Sequence, residues 1–163
     1  MERGRSAAPI LIRAAHAGDR DWILPLSARL HDFGPPRWRP REVMDAAVAR
    51  AIGEALDSPG EDSAVFAAED EDGAPLGFIH VHTAHDFFTG EEHGHVSDVV
   101  VASAAEGRGV GRALMAAGER WSRARGHRLL TLNVFGANER ARELYERLGF
   151  AADTTKLVKL LGT

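Results

Sequence analysis

A chain of 163 residues, 44% of them hydrophobic, is long enough to bury one core, and no linker divides it. A net charge of −4 excludes nucleic-acid binding through bulk positive charge. The absence of cysteine excludes disulfides, thiolate catalysis and Cys-ligated zinc, and it fits a reducing cytoplasm, the expected location. No apolar run approaches the ~20 residues of a membrane span, and the basic N-terminus lacks the apolar stretch of a secretory leader.

Residues 1–9 read as a flexible lead-in, and residues 10–163 as a single domain. Ile10 to Arg13 is a short strand. Asp19 or Asp21 can cap a helix through Trp22, Ile23, Leu26 and Leu30, with Pro25 in its first turns. A proline-rich loop, residues 32–40, carries Phe33 and Trp38. From Arg41 to Leu56 apolar residues recur at three- and four-residue steps, the period of a helix. The period then changes to two. Ala64 to Glu69 and Leu76 to Thr83 are strands joined at Asp72-Gly73, a hairpin signal. A loop over 85–94 leads to a strand at about 95–102, rich in valine. A helix over 109–125 follows, with Leu114, Ala117, Gly118 and Trp121 on one face. Leu129 to Phe135 is a further strand. Asn138 caps a helix with Ala141, Leu144, Tyr145 and Leu148 on one face. Gly149 stops it, and residues 150–161 supply one or two closing strands. The order predicts a mixed α/β sheet, mostly antiparallel with one parallel pair, and helices on both faces.

Two motifs carry chemistry. The first is E-G-R-G-V-G-R-A-L, Glu106 to Leu114, between a strand and a helix. A helix N-terminus leaves N–H groups without intrahelical partners and carries partial positive charge, so this turn is a candidate phosphate cradle. No Lys-Ser/Thr pair follows, so it is not a Walker A loop. Its spacing, and the lack of an acid ending the next strand, make it a poor dinucleotide fingerprint. The second motif is N-x-x-A-x-x-L-Y-x-x-x-G-F, from Asn138 to Phe150. By itself it is a capped amphipathic helix.

Together, with the I-x-I-R-x-A opening at Ile10 to Ala15 and the D-G hairpin, the motifs resemble the GNAT (Gcn5-related) N-acetyltransferase superfamily over nearly the whole chain. The resemblance implies the acyl-CoA N-acyltransferase fold, acetyl-CoA as donor and a small-molecule or peptide amine as acceptor. It places the pyrophosphate on the N–H groups of Gly107, Arg108, Gly109, Val110, Gly111 and Arg112. It lays the pantetheine arm along Val99, Val100 and Val101, opposite backbone that splays away at residues 132–134. Asn138 would hydrogen-bond the cofactor, beside Ala141, and Tyr145 would protonate the departing thiolate. Glu106 stands where the family usually has Gln or Arg, so its carboxylate is expected to point away from the phosphates. Ser103 replaces a common proline. The resemblance also admits a homodimer through the closing strands, although no pattern marks an interface. Its non-catalytic alternative is an acyl-CoA-binding or sensing module of the same fold.

Amine acetylation needs a base. An alkylammonium of pKa about 10.4 is neutral in roughly one molecule per thousand at pH 7.4, a cost of about 4 kcal/mol. His95 is the first candidate, placed by simple alternation on one face with Ser97, Val99 and Val101. Asp98, on the other face, is the second, and Glu69 the third. The N–H of Val99 or Val100 is the candidate for stabilising charge on the thioester oxygen. Asp86, Phe87, Phe88 and Glu91, with Phe33 and Trp38, are candidate acceptor contacts. His80, His82, His85, His93 and His95 crowd one region, and H-x-H on a strand is legitimate metal spacing. A third ligand is undetermined, and no metal is expected.

Overall fold

The period-two stretches form one five-stranded sheet, and the helical stretches lie on its two faces. The computed structural model describes residues 8–162; most of the lead-in, residues 1–7, lies outside them. In chain order the elements are β1 (Leu11–Ala14), α1 (Arg20–Ser27), α2 (Arg41–Asp57), β2 (Ser63–Glu69), β3 (Pro75–His85), β4 (Glu92–Val101), α3 (Val110–Ala124), β5 (Leu130–Leu132) and α4 (Glu139–Arg147). Strands follow one another across the sheet as β1-β2-β3-β4-β5. The first four are antiparallel, and β5 joins β4 in parallel after the crossover through α3.

The sheet separates two apolar layers. Phe78 and Val100 face α1 and α2, where they pack with Ile23, Ile52 and Val65. Ile79 and Val96 face α3, packed with Leu114 and Met115, and Tyr145 of α4 joins this side. Burying a large apolar side chain contributes roughly 1.5–3 kcal/mol, so the fully buried Phe78, Ile79, Ile23 and Leu114 anchor the two layers. The helix packs closely: a Cβ on Gly94 of β4 would lie 2.1 Å from the Ser122 hydroxyl of α3.

Four details differ from the sequence expectation. The helix α1 is not capped by Asp19 or Asp21 through a side chain. Instead Asp19 is buried, accepts from the His16 N–H, from Trp22 and from both terminal nitrogens of Arg13, and closes a preceding 3-10 turn. The loop between β3 and β4 is only the turn at residues 86–91, because cross-strand pairing reaches His85 and Glu92. The strand β5 is three residues long rather than seven. The closing strands over 150–161 are not formed: residues 151–162 carry no strand or helix and are all exposed. The tail carries apolar side chains but does not pair with the free edge of β5.

Candidate active site

Parallel pairing of β4 with β5 lasts for three residue pairs, Gly94 with Leu130, His95 with Thr131 and Val96 with Leu132. The chain after Leu132 then leaves the sheet, while β4 continues to Val101. At the same place β4 bulges. His80 of β3 pairs with Asp98 and Val81 pairs with Val96, which leaves Ser97 between them without a partner. One extra residue reverses the alternation beyond it. His95 and Asp98 therefore lie towards the α1–α2 side and Val99 towards α3, contrary to the simple alternation that grouped His95 with Val99 and Val101.

A cleft of about 340 Å³ opens in this gap. Its floor is Val96 to Val99. Leu132 to Phe135, Asn138, Ala141 and Tyr145 form one wall, and His31, Arg39 and Met44 are on the other. The Tyr145 hydroxyl has no protein partner among the described residues, and its ring packs edge-on against Phe150. Burial, and then the nearby Asp98, raise the Tyr145 pKa, so the phenol stays protonated. Asp98 sits at 3.4 Å from His80 Nδ1, and His80 Nε2 contacts the Ser63 hydroxyl at 3.1 Å. Asn138 spends its side-chain oxygen on capping α4, accepting from the Ala141 N–H at 3.2 Å, and leaves its amide nitrogen to the cleft.

The glycine turn ends in Gly109, whose φ of 84° is the left-handed region that lets the chain enter α3. The N–H groups of residues 107–112 donate to no protein acceptor among the described residues; the first ladder bond runs from Ala113 to Gly109. Arg108 and Arg112 are exposed and have no acidic partner among those residues. Glu106 does turn away from the cradle. Its carboxylate accepts from Arg140 at 2.9 Å and from Arg29 at 2.7 Å, and these contacts, Arg140 first, hold it below its usual pKa.

The model of the Acetyltransferase (GNAT) family matches residues 29–150. The chain belongs to the GNAT family. It is 35% identical to a mycothiol acetyltransferase of Amycolatopsis mediterranei, over 84% of this chain and 44% of that protein. It is 35% identical to an aminoglycoside N(6')-acetyltransferase of Stenotrophomonas maltophilia, over 55% of this chain and 60% of that one. Across the mycothiol acetyltransferases it matches, it spans only 28% to 53% of their length. A putative acetyl transferase from Pyrococcus furiosus shares the fold at TM-score 0.74 and 21% identity, covering 94% of this chain and all of that chain. An aminoglycoside N-acetyltransferase solved with CoA does so at TM-score 0.69 and 20% identity, with 97% of each chain covered.

GNAT enzymes use acetyl-CoA. Tyr145, Asn138, Ala141, Val99 and Asp98 meet in the cleft. Val100 does not: its side chain is buried towards α1 and α2. His95 is not in the lining. Its Nδ1 lies 2.8 Å from the Thr131 hydroxyl and its ring 5.2 Å from that of His82. Burial, then His82 and His93, lower its pKa. Glu69 is held by Arg13 at 2.8 Å and is also outside the lining. Phe33 reaches the cleft indirectly, stacked on Phe135 at 4.9 Å, while Trp38 is half-exposed on the loop.

The turn residues expected to meet the acceptor lie elsewhere. Asp86 and Glu91 line a separate pocket of about 380 Å³ beneath the β3–β4 turn, and Phe87 and Phe88 project into solvent at 92% and 86% exposure. Extension of both strands carries this turn away from the cleft. Among the described residues no group of three or more His, Asp or Glu side chains is gathered as a metal site. His31 is the cleft residue that the sequence did not single out. It is a lone histidine beside a proline-rich loop, and its partner Asp45 is fourteen positions away on another helix.

Proposed function

We propose that the chain is an N-acetyltransferase that moves the acetyl group of acetyl-CoA to a primary amine by direct attack. The observation that carries this reading is the run of unpartnered N–H groups at residues 107–112, beside a cleft that holds Tyr145 and the unpaired edge of β4. Residues 107–112 would bind the pyrophosphate, with Arg108 and Arg112 adding positive charge. The free edge of β4 would pair with the amide groups of the pantetheine arm, next to Asn138 and Ala141. The N–H of Val99 or Val100 would face the charge that develops on the thioester oxygen. When bound, acetyl-CoA supplies an acyl carbon open to nucleophilic attack. Tyr145, kept protonated, gives its proton to the sulfur as the carbon–sulfur bond breaks. The chain has no cysteine, so an acyl-thiol enzyme is not part of the route.

The named activities of the relatives favour a small polar amine as acceptor, aminoglycosides first. The test is acetyl-CoA-dependent release of free thiol across a panel of aminoglycosides, polyamines and amino acids. Acetyl-CoA at 100 times its Kd should stabilise the fold by about 2.7 kcal/mol. A saturating concentration that leaves the melting temperature unchanged overturns the reading.

A further inference from the structure

The reaction needs a group that removes a proton from the acceptor ammonium, and the cleft contains one that lies outside β2 and β4. We propose that His31 of the 3-10 turn Ala28–His31 is that base, held in place by Asp45 of α2; this rests on the acetyl-transfer reading above.

The geometry has three parts. His31 is 4% exposed, yet it lines the same cleft as Asp98, Val99 and Tyr145. Its Nδ1 lies 2.6 Å from Asp45 Oδ1, the short distance of a charge-assisted hydrogen bond. Its Nε2 has no protein hydrogen bond among the described residues and is not sealed from solvent, since the buried polar atom left without a partner there is His93 Nδ1. The carboxylate is acceptor-only when ionised, so it fixes the proton on Nδ1 and leaves the Nε2 lone pair for the cleft.

Asp45 is itself held. Arg41 sits 3.4 Å from its second oxygen and also grips the Ala28 carbonyl at 2.8 Å and Asp32 at 2.7 Å. The His31 contact first, then the charge of Arg41, hold the Asp45 carboxyl below its usual range. One arginine thus ties α2 to the turn that carries His31, which makes the dyad rigid. The charged groups around His31 are Asp45 and Arg41 from α2, Arg39 from the loop and Asp98 from β4, and the titratable but neutral Tyr145 of α4 lines the same cleft.

The steps balance. An ammonium N–H breaks and Nε2–H forms, giving the imidazolium beside the Asp45 carboxylate. The freed lone pair attacks the acyl carbon, the carbon–nitrogen bond forms and the carbon–sulfur bond breaks. Tyr145 protonates the sulfur, and the surplus proton on the new amide nitrogen returns to the Tyr145 oxygen. Solvent takes the proton from His31. Asp45 is a positioning residue in this scheme.

Two measurements test it on the full chain. The ring nitrogens of His31, followed by nitrogen-15 NMR at neutral pH, should show the Nδ1–H tautomer; the opposite tautomer overturns the assignment. With the primary amine that turns over fastest in the panel, His31→Gln should lower kcat/KM by about 100- to 10,000-fold, the range of general base catalysis. The acetyl-CoA thermal shift should match that of the unaltered chain. Asp45→Asn should lower kcat and leave the KM for the amine nearly unchanged, the split of a group that acts through His31. Hydroxylamine, whose nitrogen is already neutral at pH 7, should lose far less rate in His31→Gln than the primary amine does. An equal loss for both acceptors, or His31→Gln at full rate while Asp98→Asn or His95→Gln abolishes turnover of the primary amine, overturns the proposal. Absence of an acetyl-CoA shift in the unaltered chain is a different result, because it removes the acetyl-transfer reading and the role of His31 with it.

Discussion

Tyr145 offers a protonated hydroxyl to the cleft, with no protein partner among the described residues and with burial and Asp98 opposing its ionisation. An acid in that state acts across the neutral range. Tyr145→Phe should therefore cut kcat by about 100-fold or more, the ordinary scale of general acid catalysis, and leave the acetyl-CoA thermal shift intact. Full turnover in the variant would remove Tyr145 from the chemistry. A second residue-scale prediction concerns stability. Burial lowers the pKa of His82 and His95, each with histidine neighbours that reinforce the shift. Their folded values lie below the unfolded value of about 6.5, so the unfolded chain binds more protons as pH falls below that point. Their contribution is constant above pH ~6.5 and is lost as pH drops through the window beneath it. The urea midpoint should fall between pH 7.5 and 5.5, and by less in His95→Gln. An undiminished fall in the variant would show that His95 titrates normally. Tyr145 and Asn138 were legible as neighbours at this scale because both belong to one contiguous motif, and the structure puts both in the cleft lining. His31 was not, because its value comes from Asp45 and the cleft, both brought to it by folding.

At the scale of elements, the strand, turn and helix from about residue 95 to residue 124 were readable from local signals: β-branched valines, three glycines, then a period of 3.6. The bulge at Ser97 was not. The stretch H-V-S-D-V-V-V reads as an unbroken strand, and only the register with β3 shows that Ser97 is surplus. That single residue decides which side chains face α1 and α2, so His95 and Asp98 share a face that simple alternation would split. The turn itself makes a sharper prediction. A Cβ on Gly109 would meet nothing within 4 Å, so the cost of Gly109→Ala is conformational, at φ of 84°, rather than steric. The left-handed region costs an L-residue roughly 1–2 kcal/mol, which should appear as a lower melting temperature. Relaxing that strain tilts the N–H groups of residues 107–112, so acetyl-CoA should bind more weakly while the pH profile of turnover keeps its shape. Unchanged acetyl-CoA affinity would mean that these N–H groups do not hold the pyrophosphate.

For the whole molecule, the sheet lacks the closing strands that the apolar pattern of residues 150–161 implied. The outer edge of β5 has no strand beside it, and Leu157 and Leu161 are 88% and 83% exposed. Local composition could mark that tail as strand-like, but pairing is a property of an edge and a partner, and within one copy the tail does not lie against β5. An open edge and an exposed apolar segment are each prone to association. A second copy of the chain supplies both complements at once, because each tail can pair with the other copy's β5 in an isologous contact. Sedimentation of the full chain at micromolar concentration should then give a dimer. Truncation after Asp153 removes the tail but keeps Phe150 against Tyr145. The truncated chain should sediment as a monomer, and it should lose little stability beyond the amount that dilution of the full chain also removes, since residues 154–162 are all exposed and, of their large apolar side chains, only Val158 and Leu160 are half covered in their own copy. A monomeric full chain would exclude the exchange. A truncated monomer that still binds acetyl-CoA would show that the cleft is complete within one copy, as its lining from residues 30–145 requires.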